Sequence, residues 1–191
     1  MAIYTSNYLK NVSARKNLNE SARMFSQTRA KSSFDIFLSH SFIDREIIYG
    51  LYYELEAMGY SVYVDWIVDP HLDRKNVTKE SAALVQKRLR SSRSLLLAIS
   101  TNSTLSKWIP WELGYVDGHT SNCAIIPISD SLYAPSSFKG VEYLSLYPFI
   151  SKVNDLNNIQ RLWAVEDADR YILFENWIKG QKPFLRQTKI F

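Results

Sequence analysis

The chain is poor in cysteine and glycine, with one cysteine, Cys123, and six glycines in 191 residues. A single cysteine excludes an internal disulfide, which fits a reducing compartment and leads us to expect a cytoplasmic protein. Cys123 precedes an apolar run, so we predict a buried structural thiol. No glycine lies directly after the first predicted strand, so a P-loop and a glycine-rich dinucleotide motif are both missing there. No apolar run is long enough to cross a membrane and no secretory signal is visible, so we expect no membrane partner.

The excess positive charge of the chain belongs to its N-terminal segment. Residues 1–33 carry six basic residues and one acid, whereas the whole chain has a net charge of only +4. Domains that bind nucleic acid usually carry their basic side chains on the folded face, so we expect no nucleic-acid partner. We predict that residues 1–33 form a basic arm, solvated or partly helical, in which a helix around Leu18 to Phe25 docks on the domain.

Beyond residue 33, short apolar runs alternate with helical patterns. The predicted strands are Phe34–Ser39, Ser61–Asp65, Ser94–Ser100, Ala124–Ile128 and Val141–Leu146. Predicted helices lie between them, and the first begins at the capping-box spacing of Ser41 to Asp44. The central runs are continuously apolar, as in a parallel sheet covered on both faces. We therefore predict an α/β domain over residues 34–150 and a C-terminal helical extension over residues 151–191, with its clearest helix at Asp167 to Ile178.

Glu112 holds a special position in this pattern. It lies in a helix that follows the apolar run Leu95–Ser100 and a polar turn. In open α/β sheets, ligands bind outside the carboxyl ends of the strands. A carboxylate at that place, beside two tryptophans, can hold a sugar and stabilise a developing positive charge. The alternative is an ordinary acid in the first turn of a helix, where the macrodipole favours negative charge.

Three motifs resemble those of the TIR (Toll/interleukin-1 receptor) family, in particular its bacterial members. The stretch Phe34–Ser41, followed by Asp44, is similar to the first box of these domains. The stretch Gly59–Asp65 is similar to the second strand as it enters the BB loop. The Trp108-x-x-x-Glu112 motif is similar to the box that holds the catalytic glutamate of TIR enzymes. The resemblance covers about the whole predicted α/β domain and implies a flavodoxin-like, three-layer fold with a five-stranded parallel sheet.

The resemblance implies a substrate and a catalytic residue. TIR enzymes cleave the bond between nicotinamide and ribose in NAD, so we expect an NAD glycohydrolase or ADP-ribosyl cyclase with Glu112 as its catalytic carboxylate. NAD is the substrate in this chemistry and no cofactor is expected. The three histidines and the cysteine fall at no metal-ligand spacing, so we predict no metal site. Hydrolysed, cyclic and conjugated ADP-ribose are all compatible products.

Five further residues are candidates for substrate binding, by resemblance or by position: Ser39, His40, Phe42, Trp66 and Tyr115. The first three end the first strand and open its loop, which lines the nucleotide site in the family. Trp66 in the BB loop is a candidate for stacking on adenine, and Tyr115 follows Glu112 by one turn on the same helix face. Each has an alternative role: Phe42 as a hydrophobic staple, His40 as a solvated loop residue, Trp66 as a core residue.

The resemblance also implies partners. TIR domains associate with one another, and a TIR protein of this kind resembles the TIR subunit of Thoeris antiphage defence systems, whose product is sensed by a separate effector protein. Two other functions remain compatible with the sequence. One is a non-catalytic TIR interaction module, and the other is an enzyme similar to a nucleoside deoxyribosyltransferase. The intact Trp-x-x-x-Glu box favours the NAD-cleaving enzyme over the interaction module.

Overall fold

One nine-stranded sheet organises the computed structural model, which describes residues 2–74, 76–103, 106–133, 142–155 and 157–185. Its strands are β1 (Tyr4–Thr5), β2 (Phe34–Ser39), β3 (Val62–Tyr63), β4 (Ser92–Ile99), β5 (Cys123–Ser129), β6 (Phe149–Asn154), β7 (Gln160–Val165), β8 (Arg170–Leu173) and β9 (Phe184–Leu185). Their order is β3-β2-β4-β5-β6-β7-β8-β9, with β1 paired to β5. Strands β2 to β6 are parallel, whereas β7 to β9 add on antiparallel. The predicted α/β class is confirmed. The sheet has more strands than the five predicted, because β1 adds a further parallel strand and β7 to β9 extend one edge in antiparallel order.

The helices are α1 (Ser6–Ala14), α2 (Leu18–Arg29), α3 (Arg45–Ala57), α4 (Asp65–Val68), α5 (Lys79–Arg90), α6 (Trp108–Asp117) and α7 (Phe174–Trp177). Helices α3, α5 and α6 lie in the connections between the parallel strands, as the alternating pattern predicted. The capping box predicted at Ser41 is not formed. A short 3-10 turn, Phe42–Asp44, precedes α3, and the Asp44 carboxylate instead accepts hydrogen bonds from Ser100 and Asn102 beyond the end of β4.

The N-terminal segment is built into the fold. β1 pairs in parallel with the end of β5, where Tyr4 lies opposite Ile128. Leu9 of α1 is fully buried, and α1 packs so closely on α3 that a Cβ at Gly50 would lie 2.0 Å from the Leu9 carbonyl oxygen. A solvated arm is therefore wrong. The partly helical alternative, with a helix around Leu18 to Phe25, is confirmed by α1 and α2.

The C-terminal region continues the same sheet with antiparallel strands. Helix α7 spans only four residues, so the helices predicted over residues 151–191, and most clearly over Asp167 to Ile178, are wrong for the residues described up to 185. On β7 the buried residues Leu162 and Ala164 lie two positions apart, and on β8 Ile172 is buried between less buried neighbours, as in strands that bury one face. The Asp167 carboxylate accepts two backbone N–H groups in the turn between β7 and β8, which favours a hairpin over a helix.

The fifth parallel strand lies later in the chain than predicted. The predicted strand Val141–Leu146 is wrong, because Glu142–Leu146 forms a 3-10 helix in which no residue is buried; Val141 lies outside the described residues. Glu142 has a positive φ of 44°, which an extended strand does not adopt. The fifth parallel strand is β6, whose Phe149 pairs with Ile125 of β5.

The core lies around the two central strands, β4 and β5. The apolar residues Leu95–Leu97 and Ala124–Ile126 have no exposed surface, as expected for strands covered on both faces. Cys123 is also buried, as predicted, and chiefly this burial, with a contribution from Asp117, raises the pKa of its thiol to about 12. Among the residues that the structure describes, no helix combines the length and the apolar character needed to span a bilayer.

Candidate active site

Glu112 lies beyond the carboxyl end of the central strand β4. Helix α6 begins at Trp108, and Glu112 is its fifth residue. Glu112 therefore lies in the second turn of the helix, and the first turn contains no acid. Pro110 fits in the first turn, where a missing N–H breaks no helical hydrogen bond. The side chain of Glu112 is only 1% exposed. This position removes the explanation of Glu112 as an exposed first-turn acid.

Both carboxylate oxygens of Glu112 have partners within the protein. The Ser39 hydroxyl, at the end of β2, donates a hydrogen bond of 2.6 Å to Oε2. The Arg74 guanidinium donates to Oε1 and forms a buried ion pair with it. Strands β2 and β4 are direct neighbours, with Ser39 opposite Leu97, and this pairing brings residues 73 positions apart into contact.

Arg74 is held between two carboxylates. Its Nε lies 2.6 Å from Oδ2 of Asp65, which lies two residues after the end of β3 and opens α4. The Trp108 indole N–H donates to the Arg74 carbonyl at 2.9 Å, and the guanidinium lies 5.1 Å from the centre of the same ring. Burial alone would lower the pKa of Arg74, but Glu112 and Asp65 raise it above its ordinary value. The Arg74 guanidinium therefore stays positively charged in the site.

His40 adds a fifth polar group to Glu112, Ser39, Arg74 and Asp65. Its Nε2 lies 3.5 Å from Oδ1 of Asp65, and its Nδ1 donates to the Leu38 carbonyl at 2.7 Å. Burial alone would raise the pKa of Asp65, but the neighbouring His40 and Arg74 outweigh it and hold that pKa below its ordinary value. Asp65 is therefore ionised across the physiological pH range and positions both of its cationic or polar neighbours.

Aromatic rings and one arginine form the rim beside these groups. The His40 ring meets Trp66 edge to face at 4.3 Å between centroids, and Phe42 meets Trp66 at 5.7 Å. Phe42 is 55% exposed, and the Arg45 guanidinium lies 5.4 Å from the Trp66 ring centre. The exposed Phe42 ring, with the Arg45 guanidinium 5.9 Å from its centre, can stack on a nucleobase, and the guanidinium can pair with phosphate.

The structure brings four of the five candidate binding residues together and sets one apart. Ser39, His40, Phe42 and Trp66 surround the Glu112 and Asp65 carboxylates through the contacts above. The Tyr115 hydroxyl instead accepts a hydrogen bond of 2.6 Å from Arg90, and its ring stacks between Trp111 and His119 on α6. The binding roles of all five residues remain predictions.

Sequence reasoning missed two residues of the site, Asp65 and Arg74. Asp65 had a usable signal, since it is the last residue of a predicted parallel strand, and ligand-binding residues collect at the carboxyl ends of such strands. Arg74 had none, because it lies in a loop at no regular spacing from Glu112. In the described ranges, no group of three or more His, Cys, Asp or Glu side chains is placed to hold a metal ion.

The fold and the site together define an α/β protein that presents a buried glutamate at the carboxyl edge of a parallel sheet. The chain belongs to the TIR domain family, which matches residues 36–162. A protein of Bacillus cereus (strain MSX-D12), named "Probable 3' cyclic ADP-D-ribose synthase ThsB'", is 45% identical over 167 residues, which are 87% of this chain and 85% of that protein. The name of that relative describes the synthesis of a cyclic ADP-ribose.

Two more distant proteins are also similar. A Cytobacillus dafuensis protein, whose name describes a cyclic ADP-D-ribose synthase TIR2, is 30% identical over 86 residues, 44% of this chain and 23% of that protein. The crystal structure of the TIR domain of the Toll-related receptor TRR-2 of Hydra magnipapillata is similar with a TM-score of 0.40 and 21% identity, and the match covers 58% of this chain and 77% of that one.

Proposed function

We propose that this protein is an enzyme that cleaves the nicotinamide–ribose bond of NAD and converts the ADP-ribose part into a signalling product. The observation that carries the proposal is the Glu112 carboxylate, buried at the carboxyl edge of the sheet and oriented by the Ser39 hydroxyl. The relative named as a cyclic ADP-ribose synthase, which aligns with 87% of this chain, supports the same chemistry.

The proposed first step is the loss of nicotinamide. In NAD the nicotinamide ring is cationic, so it takes the electron pair of the C–N bond and leaves as a neutral molecule without a general acid. Positive charge then develops on the ribose in an oxocarbenium-like transition state. A preorganised carboxylate facing that charge contributes ~3 kcal/mol, about two orders of magnitude in rate. Glu112 is this carboxylate, and Ser39 fixes its orientation.

For the second step we propose cyclisation. A nucleophilic group of the same ADP-ribose attacks the ribose carbon and gives up its proton, so the product is one water molecule lighter than free ADP-ribose. Hydrolysis would need a water molecule at that place instead. The exposed Phe42 ring beside Trp66 supports cyclisation, because an aromatic surface that stacks on the nucleotide can hold it folded and exclude water. The name of the Bacillus cereus relative supports it as well.

The proposed role is antiphage signalling in a Thoeris-type system. The cyclic product would act as a messenger that a separate effector protein senses, and the TIR domains would self-associate when active. The ThsB' name of the 45% identical relative supports this assignment.

The direct test is to incubate the purified protein with NAD and resolve the products by chromatography and mass spectrometry. Glu112→Gln and Glu112→Ala should lose nicotinamide release by about 100-fold or more, because the transition-state charge then faces no carboxylate. The matched control is Glu80→Gln, which alters an exposed acid in the first turn of α5 and should leave turnover unchanged.

Three outcomes would contradict the proposal. Equal turnover in wild type and both Glu112 variants would remove the catalytic role of Glu112. Cleavage of deoxynucleosides in preference to NAD would indicate a deoxyribosyltransferase. Absence of NAD turnover, also in lysate from phage-infected cells, would indicate an interaction module.

A further inference from the structure

The Glu112 carboxylate faces a protein cation at the place where a substrate sugar must bind. Ser39 occupies Oε2, and Arg74 occupies Oε1. Glu112 is 1% exposed and the Arg74 side chain only 16%. A ribose hydroxyl that donates to Glu112 therefore has to displace the Arg74 guanidinium first. In this structure the catalytic carboxylate is therefore in place, but the substrate cannot reach it while Arg74 is bound to it.

We propose that Arg74 is a gate residue of the active site, whose guanidinium competes with the ribose of the substrate for the Glu112 carboxylate. This inference rests on the proposed function, since it names the residue that NAD displaces. Arg74 leaves Glu112 when substrate binds and returns when the product departs. It controls how often the site is open, and it takes no part in bond cleavage.

Arg74 lies midway in a loop whose two ends are held firmly. We call its described residues, 70–74 and 76–77, the arginine loop. At one end, Arg88 of α5 donates two hydrogen bonds of 2.8 and 2.7 Å to the Asp69 carboxylate, and the Tyr63 hydroxyl donates a third of 2.9 Å to the same group. At the other end, Thr78 caps α5 with its side chain. Movement is thereby confined to the residues between these anchors.

The partner carboxylate Asp65 stays in place while Arg74 moves. Asp65 and Trp66 belong to the short helix α4, and Arg29 of α2 donates a hydrogen bond of 2.6 Å to the Ile67 carbonyl in that helix. The N-terminal segment thus braces α4 from outside the sheet. Because Asp65 remains fixed, Arg74 keeps its ion pair with Asp65 when it loses the one with Glu112. This remaining ion pair lowers the free-energy cost of opening.

The surroundings of the arginine loop leave room for this movement. A surface hollow of about 300 Å³ is lined by His71 and Leu72 of the loop and by the start of α5. A second hollow of about 250 Å³ is lined by Val77 of the loop and by Trp108 and Trp111 of α6. A loop bordered by open hollows can change position without disturbing the close-packed core.

The gate predicts a specific kinetic signature. When only a fraction of the protein is open, the apparent dissociation constant for substrate is the intrinsic one divided by that fraction. Removing the guanidinium should therefore raise kcat/KM for NAD, mainly by lowering KM, and leave kcat undiminished. A residue that bound the substrate would show the opposite, a higher KM after its removal.

The experiment compares Arg74→Gln and Arg74→Ala with the wild type in steady-state NAD cleavage. We expect kcat/KM to rise at least fivefold in both variants. Arg93→Ala is the matched control, because Arg93 is an exposed arginine at the other end of β4 that pairs with Asp35. An unchanged or lower kcat/KM in folded Arg74 variants would overturn the gate.

A second measurement needs no turnover and keeps the gate testable if the Arg74 variants lose stability or if NAD is not the substrate. Amide hydrogen exchange is followed by mass spectrometry on the free wild type, Arg74→Gln and Arg93→Ala. We expect exchange in the arginine loop to rise at least tenfold in Arg74→Gln alone, while β3, α4 and α5 keep their protection. Adding a carbocyclic, non-cleavable NAD analogue to the wild type should increase loop exchange in the same way.

The outcomes separate the two ideas. Faster loop exchange both in Arg74→Gln and in the wild type with the analogue, without NAD cleavage in any variant, would support displacement of Arg74 by the bound nucleotide and refute the proposed function. Normal NAD cleavage with unchanged loop exchange in Arg74→Gln and with the analogue would refute the gate and leave the proposed function standing.

Discussion

Helix α1 approaches α3 so closely that a single added methyl group tests whether the N-terminal segment belongs to the fold. A Cβ at Gly50 would lie 2.0 Å from the carbonyl oxygen of Leu9 and 2.6 Å from its carbonyl carbon. Both are backbone atoms, so the clash is relieved only if α1 as a whole moves away. The segment also braces the site through the hydrogen bond from Arg29 to the Ile67 carbonyl, so its loss matters for function.

The size of the effect follows from opposing contributions. In a helix with free space, Gly→Ala stabilises by roughly 0.5–1 kcal/mol through backbone entropy. Forcing extra volume into a packed contact costs about 1–3 kcal/mol, and exposing a fully buried leucine such as Leu9 costs about 1.5–3 kcal/mol. The net expectation for Gly50→Ala is a free energy of unfolding lower by ~2–4 kcal/mol, or a Tm lower by roughly 5–15 °C for a chain of this size.

The assay is urea and thermal unfolding of the full chain, with Gly114→Ala as the control. Gly114 is also helical, but a Cβ there meets nothing within 4 Å. It should therefore raise the free energy of unfolding by roughly 0.5–1 kcal/mol. If Gly50→Ala proved as stable as the wild type or more stable, the close packing of α1 on α3 would be refuted.

Two further predictions concern the site. Ser39→Ala should lower kcat for NAD cleavage by roughly 10- to 100-fold, since a hydrogen bond to a buried charged group contributes ~1.5–3 kcal/mol, while the buried Ser94→Ala should not lower it. Steady-state kinetics would measure both. The pKa of Asp65 in the folded protein lies below that of the unfolded chain, about 3.9. Its contribution to the free energy of unfolding is therefore complete above about pH 5 and is lost as the pH falls through the folded pKa, so the difference between wild type and Asp65→Asn in urea unfolding should narrow from about pH 5 toward pH 2.

Each of these predictions has an opposing result. Equal losses in Ser39→Ala and Ser94→Ala would mean that any buried serine matters and that the contact with Glu112 has no special role. A difference between wild type and Asp65→Asn that stays constant from pH 7 to about pH 2 would mean that Asp65 keeps its ordinary pKa in the folded protein.

Local pattern was enough to predict the parallel core and the place of the glutamate. The continuously apolar runs that became β4 and β5 have no exposed side chains at their centres, and such runs form strands only where both faces are covered. Once strands and helices alternate, chain direction alone sends the ends of β2 and β4 to the same edge. Ser39 and Glu112 therefore meet, although they are distant in sequence.

Pattern failed where residues have no preferred partner nearby in sequence. The short apolar segments after Phe149 are compatible with helix or strand, and pairing to the edge of an existing sheet selected strands. Likewise, two apolar residues, Tyr4 and Leu9, are too few to predict that the N-terminal segment is buried. Tyr4 is buried because β1 pairs with the end of β5, and Leu9 is buried because the absence of a side chain at Gly50 lets α1 pack closely on α3.

By itself, then, the sequence determined the α/β class, the parallel strand series and the position of Glu112, because these depend on periodicity and chain direction. Only the tertiary structure decided that Glu112 is closed off by Arg74 and that Arg74 is shared with Asp65. An ion pair between a loop and a helix depends on how the loop is anchored, and no spacing in the sequence encodes that geometry.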